Sequence, residues 1–169
     1  MKLRLFAMAV LMMATFTGGA GNVRAAGAPK PPKAKKFDAL ANKALAAMKK
    51  RAAELHVTGV AVVSYAQGDT IDGWVSKMAV MGKMKDAPTG TSKGNNLLGI
   101  AYAKASEMAE TLEDSGTAKR APMTGEFGWQ GGVIARTKTG HTIVAFSGGK
   151  SEDDVQVSRA GLAVLDAAL

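Results

Sequence analysis

An α+β fold, with helices packed on an antiparallel sheet, follows from three observations on the 169-residue chain. Apolar stripes of helical period recur in three places, short β-branched runs fall in two pairs, and each pair is joined by a turn. The resulting order is helix, two strands, helix, long connection, two strands, helix.

The chain opens with Lys2 and Arg4 ahead of an apolar run from Leu5 to about Phe16, and Val23-Arg24-Ala25 supplies small residues at the positions an export peptidase prefers. Residues 1–25 therefore read as a signal peptide cleaved after Ala25. A retained anchor is disfavoured, because the run is about 12 residues where a helical span needs about 20. Residues 26–36 form a Pro/Lys-rich flexible leader with Pro29, Pro31 and Pro32. The expected product is periplasmic or secreted, with no stable membrane anchor.

Charge has to be divided along the chain before it can be used. Of the net +8, seven charges sit in the signal and the leader, while residues 37–169 hold 15 basic and 14 acidic side chains. Such a balance leaves no basic footprint for nucleic acid. Cysteine is absent, which removes disulfides, thiol catalysis and thiolate metal sites together. The 144 residues after the signal suffice for one domain with a core.

In residues 37–169, Phe37, Leu40, Ala44, Met48, Ala52 and Leu55 repeat with helical spacing and predict a first amphipathic helix over Phe37 to Leu55. Val57 to Tyr65 reads as a strand, Gln67-Gly68-Asp69 as its turn, and a second strand begins near Thr70. Gly82 to Gly90, with Pro88, is a loop. Ser92 is the expected cap of the central helix, whose stripe is Leu98, Ala101, Ala105, Met108 and Leu112 before Asp114-Ser115-Gly116. Gly116 to Gly132 is a long connection carrying Phe127 and Trp129. Loops of this length are commonly functional, and the two rings either wall a pocket, contact a partner or pin the loop to the core.

The closing segment pairs Gly132–Ala135 with Thr142–Phe146 across Thr137-Lys138-Thr139-Gly140, then enters a helix through Ser147-Gly148-Gly149. Ser151 is placed to cap that helix, and Glu152, Asp153 and Asp154 suit the positive end of its dipole. Its expected stripe is Val155, Ser158, Leu162, Leu165 and Leu169. Gly149 is expected to need a backbone conformation costly for a β-branched residue.

The wording FSGGKSEDDVQVSRAGLAVL, together with Lys104-Ala105 and Gly131-Gly132-Val133, resembles the GlcG/HbpS-like (DUF336) family of small proteins, which includes haem-binding members. The resemblance spans Phe37 to Leu169 and implies a profilin-like topology, a further short strand and homo-oligomers. It also implies a haem or tetrapyrrole ligand, iron included. The chain departs from the family pattern where Gly68-Asp69 replaces a Gly-His pair and Met84-Lys85-Asp86 replaces Arg-Met-Asp.

Haem ligation without cysteine requires histidine, methionine or tyrosine, and the two histidines are His56 and His141. His56, between the first helix and the first strand, is the better-fixed candidate for iron; His141 follows the hairpin turn and would otherwise face solvent. Tyr65, Tyr102 or a methionine stand behind them. Lys50, Arg51 and Lys104 could pair with propionates. Phe127 and Trp129 join Lys104 as cofactor-binding candidates, and a solvated helix face is the simpler account of each basic residue alone. Glu107 and Glu110 are three residues apart on what reads as the solvent side of the central helix, and their pattern resembles iron-binding pairs of haem-binding family members. Met78, Met81 and Met84 could offer Cu(I) a soft site only if the segment were helical.

Enzyme signatures are weak. Gly148-Gly149-Lys150-Ser151 lacks phosphate-loop spacing, and no nucleophile elbow marks a serine. The leading reading is an exported haem- or tetrapyrrole-binding protein for sequestration, sensing or turnover. The alternative is a metal-independent small-molecule-binding or structural oligomeric protein.

Overall fold

In the computed structural model, which describes residues 34–168, helix α1 (Ala34–Glu54) starts slightly before its predicted stripe and buries Phe37, Ala41, Ala44, Leu45, Met48 and Ala52. The predicted signal peptide and the leader up to residue 33 lie outside the described residues. The helix stops at a Schellman turn: Val57 N–H donates to Ala52 O at 2.9 Å and His56 N–H to Ala53 O at 3.1 Å. His56 supplies the left-handed residue, at φ 55°.

That turn delays strand β1 (Gly59–Gln67) by two residues relative to the predicted start at Val57. Strand β2 (Val75–Met81) also begins later than Thr70, because Gly68 to Trp74 forms a wider turn in which Thr70 Oγ1 donates to Asp72 Oδ2 at 3.1 Å. Met78 and Met81 therefore lie on opposite faces of a strand and Met84 beyond its end, so the methionines do not converge. Two short strands pair as a separate ribbon: β3 (Lys85–Asp86), inside the segment read as loop, and β4 (Asn95–Asn96), beyond it where the central helix was expected to have begun.

Helix α2 (Leu97–Thr111) is capped by Asn96, whose Oδ1 accepts from Gly99 N–H at 3.0 Å; Ser92, the expected cap, lies in the preceding turn. Leu112 adopts φ 56° as the C-cap and is exposed, which takes it off the predicted stripe. Strands β5 (Gly132–Arg136) and β6 (Gly140–Ser147) form the predicted hairpin. Helix α3 (Ser151–Asp166) begins after Lys150, and no side chain caps it. Its buried line is Asp154, Val157, Ser158, Gly161 and Leu165, one position round from the predicted stripe, since Gly161 lets the helix close onto Met48 and Val144.

The antiparallel sheet has the order β2-β1-β6-β5. Alternation sends Ala61, Val63, Tyr65, Val144 and Phe146 towards α1 and α3, and Val60, Val62, Ile143 and Ala145 towards α2. The strands β1 and β6, covered on both faces, accordingly read as near-continuous apolar runs. The result is the expected α+β fold, three layers deep, and among the described residues no helix is long and apolar enough to cross a membrane.

Candidate functional site

A lysine on the buried stripe of α2 organises the site. Ile100, Lys104 and Met108 share the face that meets the sheet, and Lys104 is 3% exposed. Its Nζ donates to Phe146 O and to Asp154 Oδ2, both at 2.8 Å, pinning α2 to the end of β6 and the first turn of α3. The other carboxylate oxygen of Asp154 accepts from Gly149 N–H at 2.8 Å. Asp154 thus reaches back into the glycine turn, while Ser151, the expected cap, is the first residue of the helix and makes no capping bond.

Burial drives both partners towards neutrality. It raises the Asp154 pKa against the opposing pull of Lys104 and of the Gly149 and Gly148 amides, and it lowers that of Lys104 against the attraction of Asp154. The two glycines differ in what they require. Gly148 has φ 155° and passes so close to Thr58 O that no Cβ fits, whereas at Gly149 a Cβ would sit 3.1 Å from Val57 Cγ1. The demanding position is Gly148 and not Gly149.

Next to this pair lies a cavity of about 110 Å³ whose walls include Leu97, Ile100, Gln130, Ser147 and Trp129. Asp86 and Asn95 separate it from a wider depression of about 540 Å³ bordered by Met84, Lys85, Pro88 and Lys93. Phe127 and Trp129 stack with ring centroids 4.8 Å apart, and each is 47% exposed. The rings do not pin the loop to the core; Trp129 lines the small cavity and Phe127 stacks on it.

Buried polar groups of the loop hold Trp129 there. Ser115 Oγ donates to Trp129 O at 3.0 Å and accepts from Gly132 N–H at 2.8 Å. Arg120 bridges Glu110 and Glu126, and Glu126 Oε2 also accepts from Met123 N–H at 2.8 Å. Those partners, Arg120 above all, hold the Glu126 pKa down at about 2. A depressed carboxyl stabilises the folded loop above its ordinary titration range, and that contribution is lost as pH falls through the folded value. The amide of Met123 is therefore expected to keep its exchange protection in mild acid and to lose it only as pH approaches about 2. Loss of protection at the ordinary glutamate pKa, about 4.3, would contradict this clasp.

The remaining sequence candidates are dispersed. His56 is exposed at the end of α1, and His141, far from facing solvent, is 4% exposed at the opposite end of β6 from the cleft, with Nδ1 unpartnered. Neither histidine borders the cleft. Lys50 and Arg51 pair with Glu54 on α1. Glu107 is buried and accepts from Gly116 N–H at 2.9 Å, because the chain leaving α2 needs an acceptor there; Glu110 is engaged by Arg120. They are not a solvent-facing pair, and no cluster of three or more His, Asp or Glu suited to a metal ion occurs among the described residues. Tyr65 bonds Thr139 Oγ1 at 2.7 Å and Tyr102 lies 3.2 Å from Ser76 Oγ.

Sequence reasoning missed Asp154 as the partner of Lys104, and with it Asp86, Asn95, Lys85 and Lys93. One signal was available: a lysine between Ala101, Ala105 and Met108 on an apolar stripe demands a buried acceptor.

No protein-family model matches the sequence, and no curated protein is significantly similar to it. Among solved structures, the chain is similar to the Klebsiella pneumoniae protein ORFY, described under the family DUF336, with TM-score 0.51 and 19% identity over 78% of this chain and 90% of that one. It is also similar to PduOC in its haem complex, with TM-score 0.51 and 17% identity over 80% of this chain and 95% of that one. At these identities the likeness establishes a shared fold. The fold resemblance to DUF336 proteins read from the closing segment is thereby met in three dimensions.

Proposed function

We propose that this chain is an exported homo-oligomeric protein that binds haem or a related tetrapyrrole, for its sequestration, sensing or turnover. The observation that carries the reading is Trp129, stacked on the exposed Phe127 and lining the small cavity, which shares Asp86 and Asn95 with a depression of about 540 Å³, within the usual range for small-molecule sites. A flat macrocycle can lie against Trp129, and Lys85 and Lys93 are charge partners for its carboxylates. Support also comes from the shared fold with PduOC, a protein seen in complex with haem.

The residues fit the macrocycle better than they fit histidine ligation of iron. Met84, 46% exposed at the depression, is the soft donor of its lining and would hold an iron there. A bound iron would supply redox and ligand-binding chemistry; the protein's part is to place and shield the ring. The position of both histidines outside the cleft favours a second reading, a metal-independent site for a planar carboxylate-bearing molecule.

Titration of the mature chain with haem should give a Soret band that travels with an oligomer through size exclusion. Trp129→Ala should weaken binding about tenfold, the worth of one good stacking contact, while His56→Ala leaves the band in place. A band abolished by His56→Ala and untouched by Trp129→Ala would reverse the assignment. Export is supported by the charged, apolar and small-residue segments of residues 1–25. Intact-mass measurement on cell fractions should find a chain beginning near Ala26 outside the cytoplasm, and a full-length cytoplasmic product would overturn that part.

A further inference from the structure

Lys104 is more than a staple if its surroundings are taken together. Its Nζ has two protein acceptors, Asp154 Oδ2 and Phe146 O, and an ammonium carries three protons. The side chain also borders the small cavity of about 110 Å³, which has room for about four water molecules. An amine with two hydrogen-bonded protons, a carboxylate at 2.8 Å and an adjoining space of this size are the parts needed for condensation with a carbonyl.

We propose that this cavity is a carbonyl site at which the Lys104 amine forms an imine with a small uncharged aldehyde, Asp154 serving as its proton partner. In the first step the ammonium gives a proton to the Asp154 carboxylate, and the freed lone pair forms the N–C bond as the C=O π pair takes up a second nitrogen proton to become a hydroxyl. The C–O bond then breaks as Asp154 returns its proton and water leaves. In sum, the carbonyl oxygen and two of the three ammonium protons depart as water, and the third stays on an iminium beside the Asp154 carboxylate. No oxidant or reductant is consumed. The charged walls are Asp86 and Asp154 against Lys104 alone, so a neutral aldehyde is preferred over a 2-oxo acid. Desolvation of the amine works in the same direction by increasing its unprotonated fraction.

The test is reductive trapping on the full mature chain with limiting butyraldehyde and sodium cyanoborohydride, followed by peptide mass mapping. Lys104 should carry the dominant butyl adduct, above every other lysine, because its amine adjoins the cavity and its carboxylate partner. Asp154→Asn should slow labelling of Lys104 and shift its pH profile, and pyruvate should trap less than butyraldehyde. Lys104→Met should lose the dominant adduct; should that variant not fold, the map of the wild-type chain decides alone. Adducts confined to exposed lysines, or labelling of Lys104 only in urea, would overturn the proposal. Because the trap contains no tetrapyrrole, its failure leaves the binding reading at Trp129 untouched.

Discussion

Replacing Asp154 by alanine is expected to lower the unfolding free energy by about 3–5 kcal/mol, the usual cost of leaving one member of a buried ion pair behind. Lys104 would keep its Phe146 O acceptor but lose its counter-charge in a site where it is 3% exposed, and the Gly149 amide would lose its acceptor as well. The paired replacement Lys104→Met with Asp154→Leu should recover most of that loss, because burial disfavours both charges and the apolar pair needs no partner. Urea unfolding of the three chains decides the matter. A double variant no more stable than Asp154→Ala alone would show that geometry at the glycine turn, and not the orphaned charge, sets the cost.

Gly148→Ala is expected to cost about 3 kcal/mol or more, from overpacking and backbone strain together. Gly148 joins β6 to α3 at φ 155°, and its added Cβ would overlap Thr58 O and lie 2.6 Å from Gly59 Cα. Neither is the end of a flexible side chain, so the β1 and β6 backbones would have to separate where the site begins. At the neighbouring position Gly149→Ala meets only side-chain atoms at 3.1 Å or more, and its cost should stay near 1 kcal/mol. Equal melting temperatures for the two variants would remove Gly148 from this role.

Much of this fold was legible because it rests on local period. The α1 stripe and the β5–β6 hairpin are written in consecutive residues, and their bounds differ from expectation by a few positions. What was not legible depends on distant partners. Lys104 and Asp154 are 50 residues apart, so the helix could be recognised while the reason for its buried lysine could not. Glu107 was assigned to solvent because it lies across the helix from an apolar stripe centred near Ala105, whereas the loop leaving the helix folds back and brings Gly116 N–H to it. His56 drew attention as a scarce residue type, yet its place is set by the left-handed turn that ends α1. Phe127 and Trp129 were recognisable as residues of a long loop, and only the bonds of Ser115 show why Trp129 reaches the cleft.

The central claim is that a planar ligand lies against Trp129 over the depression formed around β3 and β4, and the most direct test is a two-dimensional amide spectrum titrated with iron-free protoporphyrin. Its ring current acts over short range and needs no metal ligand. The account predicts that the indole N–H of Trp129 and the amides of Lys93 to Asn96 shift together and saturably, while the indole of Trp74 and the amides of His56 and His141 stay in place. Shifts gathered around His56 or His141, with Trp129 unmoved, would contradict it.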